Sequence, residues 1–190
     1  MAYRQVILAN GEIHHMINRG VEQVSTFLDK RDYSRFLETC TYYQKVNPPV
    51  RFSFKKRVPK KRLLNLGKQK NLIEIICYCL MPNHFHFLLK QTEDDGISSF
   101  VSKVTNSYTR YFNIRHRRKG HLFQGPFKAV RIAADEQLIH VSRYIHLNPV
   151  VDYLVEDPKD YLFSSYQEYL SGGLNGGVVK KNRSYLILIL

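Results

Sequence analysis

A single phenylalanine separates His84 from His86 in the run from Leu80 to Lys90, and this pair carries the first chemistry legible in the chain. Phe85, Phe87 and Leu89 alternate with His84, His86 and Leu88, which is the two-residue period of a β-strand. Both imidazoles would then leave one face of the strand, about 6–7 Å apart at Cα. That spacing suits two ligands of one divalent metal; the competing reading is a pair of structural histidines. Further along, Tyr144 and Asn148 stand four residues apart, a separation that puts both on one face of a helix. A tyrosine hydroxyl is an oxygen nucleophile that needs a metal-polarised electrophile or a general base beside it. An Asn amide oxygen one turn away would complete the metal site that the histidines begin. The plainer alternative is that Tyr144 packs in a core and Asn148 caps a helix.

Strands and helices that could hold these residues are legible around them. Ile13 to Asn18 reads as a strand, and Asp32 to Tyr43 as a helix with Phe36, Leu37 and Cys40 inward. Leu72 to Cys79 and His84 to Lys90 read as two strands joined by the turn from Leu80 to Asn83. Ser98 to Arg115 has Phe100, Val101, Val104, Tyr108, Tyr111 and Phe112 at three- and four-residue steps, as an amphipathic helix does. Lys128 to Ile132 is a short strand. The helix of Tyr144 is expected to start at an Asp135 N-cap, with Leu138, Ile139, Val141, Ser142 and Ile145 at helical spacing. Pro149 is expected to stop it near Asn148, because proline disfavours α geometry in the residue before it. Helices interleaved with strands that include a hairpin point to an α+β fold over a doubly wound parallel sheet.

Tyr108 is a rival nucleophile, since Asn113 follows it. Five residues turn about 500° around a helix, whereas four return to within about 40° of the starting face, which favours Tyr144. His146 is two residues from Tyr144 and points elsewhere. Of His14 and His15, one is expected inward and one exposed.

Together these motifs resemble the HUH single-tyrosine transposases of small insertion sequences, and within them the REP-associated tyrosine transposases. The resemblance spans roughly residues 10 to 170: His15-Met-Ile-Asn-Arg-Gly20, Met81-Pro-Asn-His-Phe-His86, Gly120-His-Leu-Phe-Gln-Gly125 with Phe127-Lys128, Arg143 to Val150, and Ser164-Ser-Tyr166. One departure is Pro126, where the family's loop usually carries an Arg; if that Arg touches DNA phosphate in relatives, the contact is either missing here or supplied by Lys128 or Arg131. The resemblance implies a ferredoxin-like or RRM-like antiparallel sheet backed by helices. It further implies cleavage and rejoining of single-stranded DNA, at hairpin-bearing ends, through a 5′-phosphotyrosine on Tyr144. The cofactor it implies is Mg²⁺ or Mn²⁺, held by His84, His86 and Asn148. It leaves open a monomer or a homodimer that trades helices.

Charge agrees with a nucleic-acid partner. The 190 residues hold 29 Lys and Arg against 16 Asp and Glu, a formal net charge of +13, and such an excess favours a polyanion. No run approaches the roughly 18–20 apolar residues that a membrane span needs. The first ten residues lack the apolar stretch of an export signal. Cys40, Cys77 and Cys79 form no zinc or disulfide pattern, so a reducing cytoplasm is the expected setting.

DNA-contact candidates are Arg115, Arg117, Arg118 and Lys119 ahead of Gly120, then Lys128 and Arg131. Lys60, Lys61 and Arg62 join them from a basic insertion, 51–71, that has no acid and reads either as a solvated loop or as a phosphate-tracking arm, with Phe52 and Phe54 able to stack on bases. Residues 1–170 are expected to form the transposase-like domain. After it, 171–190 reads as a Gly-rich linker and an apolar tail that docks as an extra strand on this subunit or a partner. Two other classes compete: a non-catalytic single-stranded nucleic-acid-binding protein that kept the fold, and a replication initiator or relaxase of the wider HUH group. The latter often carry a helicase appendage or a third ligand histidine, which this sequence does not display.

Overall fold

The computed structural model describes residues 6–171 and 178–179, so the expected linker and apolar tail lie almost wholly outside the described residues. Four strands, β1 (Ile13–Arg19), β2 (Ile73–Met81), β3 (His84–Gln91) and β4 (Lys128–Ile132), form one sheet in the order β2-β3-β1-β4. Every neighbouring pair is antiparallel. With α1 (Lys30–Tyr43) after β1 and α3 (Gly96–Arg115) after β3, this is the ferredoxin-like arrangement. A small helix, α2 (Lys60–Gly67), is inserted between α1 and β2. Beyond β4 the chain adds α4 (Asp135–Val151) and the short α5 (Tyr166–Leu170).

The sheet separates two apolar layers because its side chains alternate. Phe85, Phe87 and Leu89 of β3 and Met16 of β1 face α1 and α3, where Phe36, Phe100, Val104 and Tyr108 fill the larger core. Ile13 and Leu88 face the other way and pack with Ile76, Cys77, Leu138 and Ile145. Cys77 and Cys79 are fully buried and act as small hydrophobes, as the sequence suggested. Gly20 ends β1 at a place no other residue fits, since a Cβ there would lie 2.2 Å from the Val24 carbonyl oxygen.

The motif Ser164-Ser165 closes the β2 edge. Leu80 N–H donates to Phe163 O at 2.9 Å, and Ser165 N–H donates to Tyr78 O at 3.0 Å. Ser165 Oγ accepts from Tyr78 N–H at 2.9 Å and from His146 Nε2 at 2.8 Å. That second bond fixes α4 against the sheet and turns His146 away from Tyr144, as expected.

Several local expectations are corrected. β2 runs on to Met81, leaving Pro82 and Asn83 as the whole turn, because Leu80 and Met81 still pair with Phe85 and His84. The N-cap of α4 is Ala134, with Asp135 already inside the helix. Pro149 does not stop α4, which continues to Val151. A proline that late removes one donor, the one that would serve Ile145 O, and the packing of Ile145 and His146 keeps the last turn in place. The basic insertion is not a loop: Phe52–Arg57 forms a 3₁₀ segment and Lys60–Gly67 a helix. Phe52 and Leu66 are buried in the main core, which takes Phe52 out of base stacking and leaves Phe54 exposed. His14 and His15 are both buried, because each face of β1 is covered by a helix layer.

Candidate active site

β3 delivers His84 and His86 to the α4 side of the sheet, opposite the phenylalanine core, as the alternation predicts. Burial removes water from both rings and holds them neutral. His86 falls to about 3, chiefly through desolvation, then through His84, His15 and Arg19 nearby. His84 is also held below the ordinary histidine range, by desolvation and then the Arg19 guanidinium, with Asp152 opposing. Neutral imidazole is the form that ligates a metal.

Each ring is anchored through Nδ1. His84 Nδ1 donates to Asn83 Oδ1 at 2.6 Å, which leaves the lone pair on Nε2. His86 Nδ1 lies 3.0 Å from His15 Nε2. With the shared hydrogen on His86, its Nε2 presents a bare lone pair, and that atom is buried with no protein partner. Such outer hydrogen bonds on the second nitrogen are what orient histidine ligands. The residues present therefore fit a divalent cation at the two Nε2 atoms. Among the described residues no group of three His, Cys, Asp or Glu could hold a metal, so any third protein ligand would be a different donor, such as an amide, hydroxyl or backbone carbonyl oxygen. Asn148 is buried, and its Nδ2 donates to Tyr144 O at 2.6 Å, which leaves Oδ1 as its free end.

α4 sets the Tyr144 ring edge-on to both inner histidines, with centroids 5.6 Å from His86 and 6.1 Å from His15. The residue is 51 % exposed, so part of its side chain faces solvent. Tyr108 has the opposite surroundings: it is fully buried, and its hydroxyl donates to Thr26 O at 2.6 Å.

The basic candidates divide into groups. Arg115 is partly exposed and already held in ion pairs within the protein, donating to Asp32 at 2.5 Å and to Asp29 at 2.6 Å, which leaves it less available to a DNA phosphate than its neighbours in the charge run. Arg131 pairs with Glu12 at 2.7 Å while staying exposed. Arg117 and Lys119 are exposed and Arg118 is partly so, on a loop that folds back so that Gln124 N–H donates to Arg19 O. Lys128 is paired across from Ile17, itself across from His86, so the register puts it on the histidine face. Lys60, Lys61 and Arg62 are exposed on α2, beside α1 in the helix layer on the other side of the sheet.

The sequence reading missed His15 and Arg19. Arg19 is exposed and pairs across from His84. The alternation that selected His84 and His86 also puts His15, Ile17 and Arg19 on one face of β1, so the signal was present once β1 and β3 were known to be neighbours.

Comparisons with known proteins agree with this architecture. The family described as "Transposase IS200 like" matches residues 53–148, just over half of the chain. A protein of Haemophilus influenzae described as a REP-associated tyrosine transposase is 28% identical over 103 residues, 49% of this chain and 58% of the relative. The matched region thus spans less than two thirds of that relative's length. Among solved structures, a REP-associated tyrosine transposase bound to a REP hairpin superposes with a TM-score of 0.65 at 17% identity. That match covers 96% of this chain and 92% of the other, and it shows a common fold. The histidine pair on β3 and the Tyr-Asn face of α4 fall within or at the end of the family match, and the chain belongs to the IS200-like transposase family.

Proposed function

We propose that this protein cleaves and rejoins single-stranded DNA, with Tyr144 as nucleophile and a hairpin-bearing strand as substrate. The observation that carries the reading is the buried, unpartnered Nε2 of His86 beside a half-exposed tyrosine ring. The family supports transposase chemistry, and the structural neighbour bound to a REP hairpin supports the choice of DNA. In the proposed reaction the Tyr144 oxygen attacks the phosphorus and loses its proton to solvent. The bond to the 3′-oxygen of the preceding nucleotide breaks, and that oxygen takes up a proton. The product is a 5′-phosphotyrosine and a free 3′-hydroxyl. A second 3′-hydroxyl reverses the step and joins strands, since the phosphodiester energy is kept in the phosphotyrosine bond. Mg²⁺ or Mn²⁺ bound by His84, His86 and Asn148 would supply charge stabilisation at the non-bridging oxygens. Arg19 and Lys128 would hold the flanking phosphates, and the His84 and His86 hydrogen bonds keep both rings from turning.

His84→Ala and His86→Ala test this. Each should abolish cleavage of a labelled single-stranded hairpin and weaken Mn²⁺ binding by more than the ~10–100-fold that follows loss of a ligand's outer partner. Calorimetry with the metal alone gives the second readout. DNA retention in metal-free buffer should persist. Full cleavage by the double variant would overturn the metal reading, and wild-type retention without any cleavage would favour a binding module.

Salt dependence tests the basic surface. Affinity for single-stranded DNA should fall with a log–log slope of about −0.7 per neutralised phosphate. Lys60, Lys61 and Arg62 changed together to Gln should make the slope shallower by about 2. Cleavage at saturating DNA should be unchanged, because α2 lies across the sheet from the histidines. An unchanged slope would make α2 a merely solvated face.

A further inference from the structure

The end of α4 carries an aromatic residue where backbone geometry favours glycine. Tyr153 follows the C-cap Asp152 and has φ +55°. Its N–H donates to Val150 O at 3.0 Å, and the next N–H, of Leu154, donates to Pro149 O at 2.8 Å, a Schellman closure. The left-handed residue in that motif is usually glycine, because any Cβ there is strained. The Tyr153 side chain offsets nothing by packing, since the residue is 95 % exposed.

Beside it lies a cleft of 420 Å³. Ser25, Pro82 and Asn83 form one side, and Asp152, Tyr153 and Leu154 line the other. Asn83 is the residue that accepts the His84 Nδ1 hydrogen bond, so the cleft opens next to the candidate metal ligand. Tyr144 lies about two turns before the end of α4 at Val151, and Tyr153 lies two residues beyond that end.

We infer that this cleft is a nucleobase subsite, in which an unpaired base flanking the scissile phosphate stacks on Tyr153 and directs an exocyclic amine to Asp152. The inference rests on the proposed single-stranded DNA reading. Aromatic rings are the usual platforms for unpaired bases, and carboxylates accept from base amino groups. The cleft is open to solvent, and its lining sets the polar groups of Ser25, Asn83 and Asp152 among Pro82, Val151 and Leu154. A thymine, which lacks the amine, is the least suited occupant.

The test uses the full chain in metal-free buffer, so that no cleavage intervenes. Hairpin oligonucleotides carry 2-aminopurine at successive unpaired flanking positions, and fluorescence reports stacking. One position should be quenched on binding to the wild type. Tyr153→Gly should release the quench and weaken binding about 10-fold, within the range reported for losing one stacked base, while Tyr153→Phe keeps both. Glycine suits the positive φ, so Tyr153→Gly should melt no lower than wild type. An abasic site at the responsive position should cost the wild type a similar factor and add nothing in Tyr153→Gly. If the wild type binds and neither Tyr153→Gly nor the abasic site changes affinity, the subsite is overturned while the functional reading stands. If the wild type binds no single-stranded hairpin, both are overturned.

Discussion

Tyr144→Phe should abolish covalent capture of DNA while leaving the protein folded. One hydroxyl is lost, the ring keeps its place beside His86, and the position is half exposed, so little packing changes. With the wild type, a hairpin carrying single-stranded flanks and Mn²⁺ should give an adduct that survives denaturing electrophoresis. Peptide mapping should put the adduct on the segment that holds Tyr144. Asn148→Ala should slow the reaction without ending it, because water can occupy the vacated ligand position. Tyr108→Phe is the control with the opposite profile: capture persists, but stability drops by about 1–3 kcal/mol because the buried Thr26 carbonyl loses its donor. An adduct that persists in Tyr144→Phe would place the nucleophile elsewhere.

The largest expected effect on stability belongs to Asp32. Its carboxylate is fully buried. It accepts from Leu28 N–H at 3.0 Å, from Arg115, from Tyr111 at 3.2 Å and from His116 at 3.0 Å. This one side chain ties the N-terminus of α1 to the C-terminus of α3. Removing it strands several donors at once, although Arg115 keeps Asp29 and some access to water. Hydrogen bonds to charged groups contribute about 1.5–3 kcal/mol each, and one partner of a buried pair is costly to delete. Asp32→Ala should therefore cost about 3 kcal/mol, which for a chain of this size lowers the melting temperature by roughly 6–12 °C. Asp32→Asn, which retains one acceptor oxygen, should fall between. A shift smaller than about 2 °C for Asp32→Ala would show that water serves these donors as well as the carboxylate does.

What sequence reading recovered was what strict periodicity encodes. The bounds of β4 and the two faces of β3 were legible because alternation is a local signal. The Tyr144–Asn148 face was legible because a four-residue step is local too. Contacts between distant segments were not. His15 meets His86 across 71 positions of sequence, and nothing near either residue announces the other. Arg115 looks like Arg117, Arg118 and Lys119 in a charge run, yet its acidic partners lie more than eighty residues upstream. The lysines of the insertion hid the apolar positions Phe52, Leu63 and Leu66, so a packed pair of short helices looked like a loop. Pro149 misled because a rule about isolated dipeptides gave way to tertiary packing over the last turn of α4. Tyr108 was set aside for the spacing of its Asn, whereas burial is the stronger reason.

The alternation of β3 also acts as a proofreader. A slip of one residue against β1 would send Phe85 and Phe87 to the positions now held by the two histidines on the α4 side and drive His84 and His86 among Phe36, Phe100 and Tyr108. Misregistered chains would thus lose cohesion at the same moment as they lose their reactive groups. A wrongly paired chain would therefore be destabilised and would lack the paired histidines together, which matters for a protein whose proposed errors would be breaks in DNA.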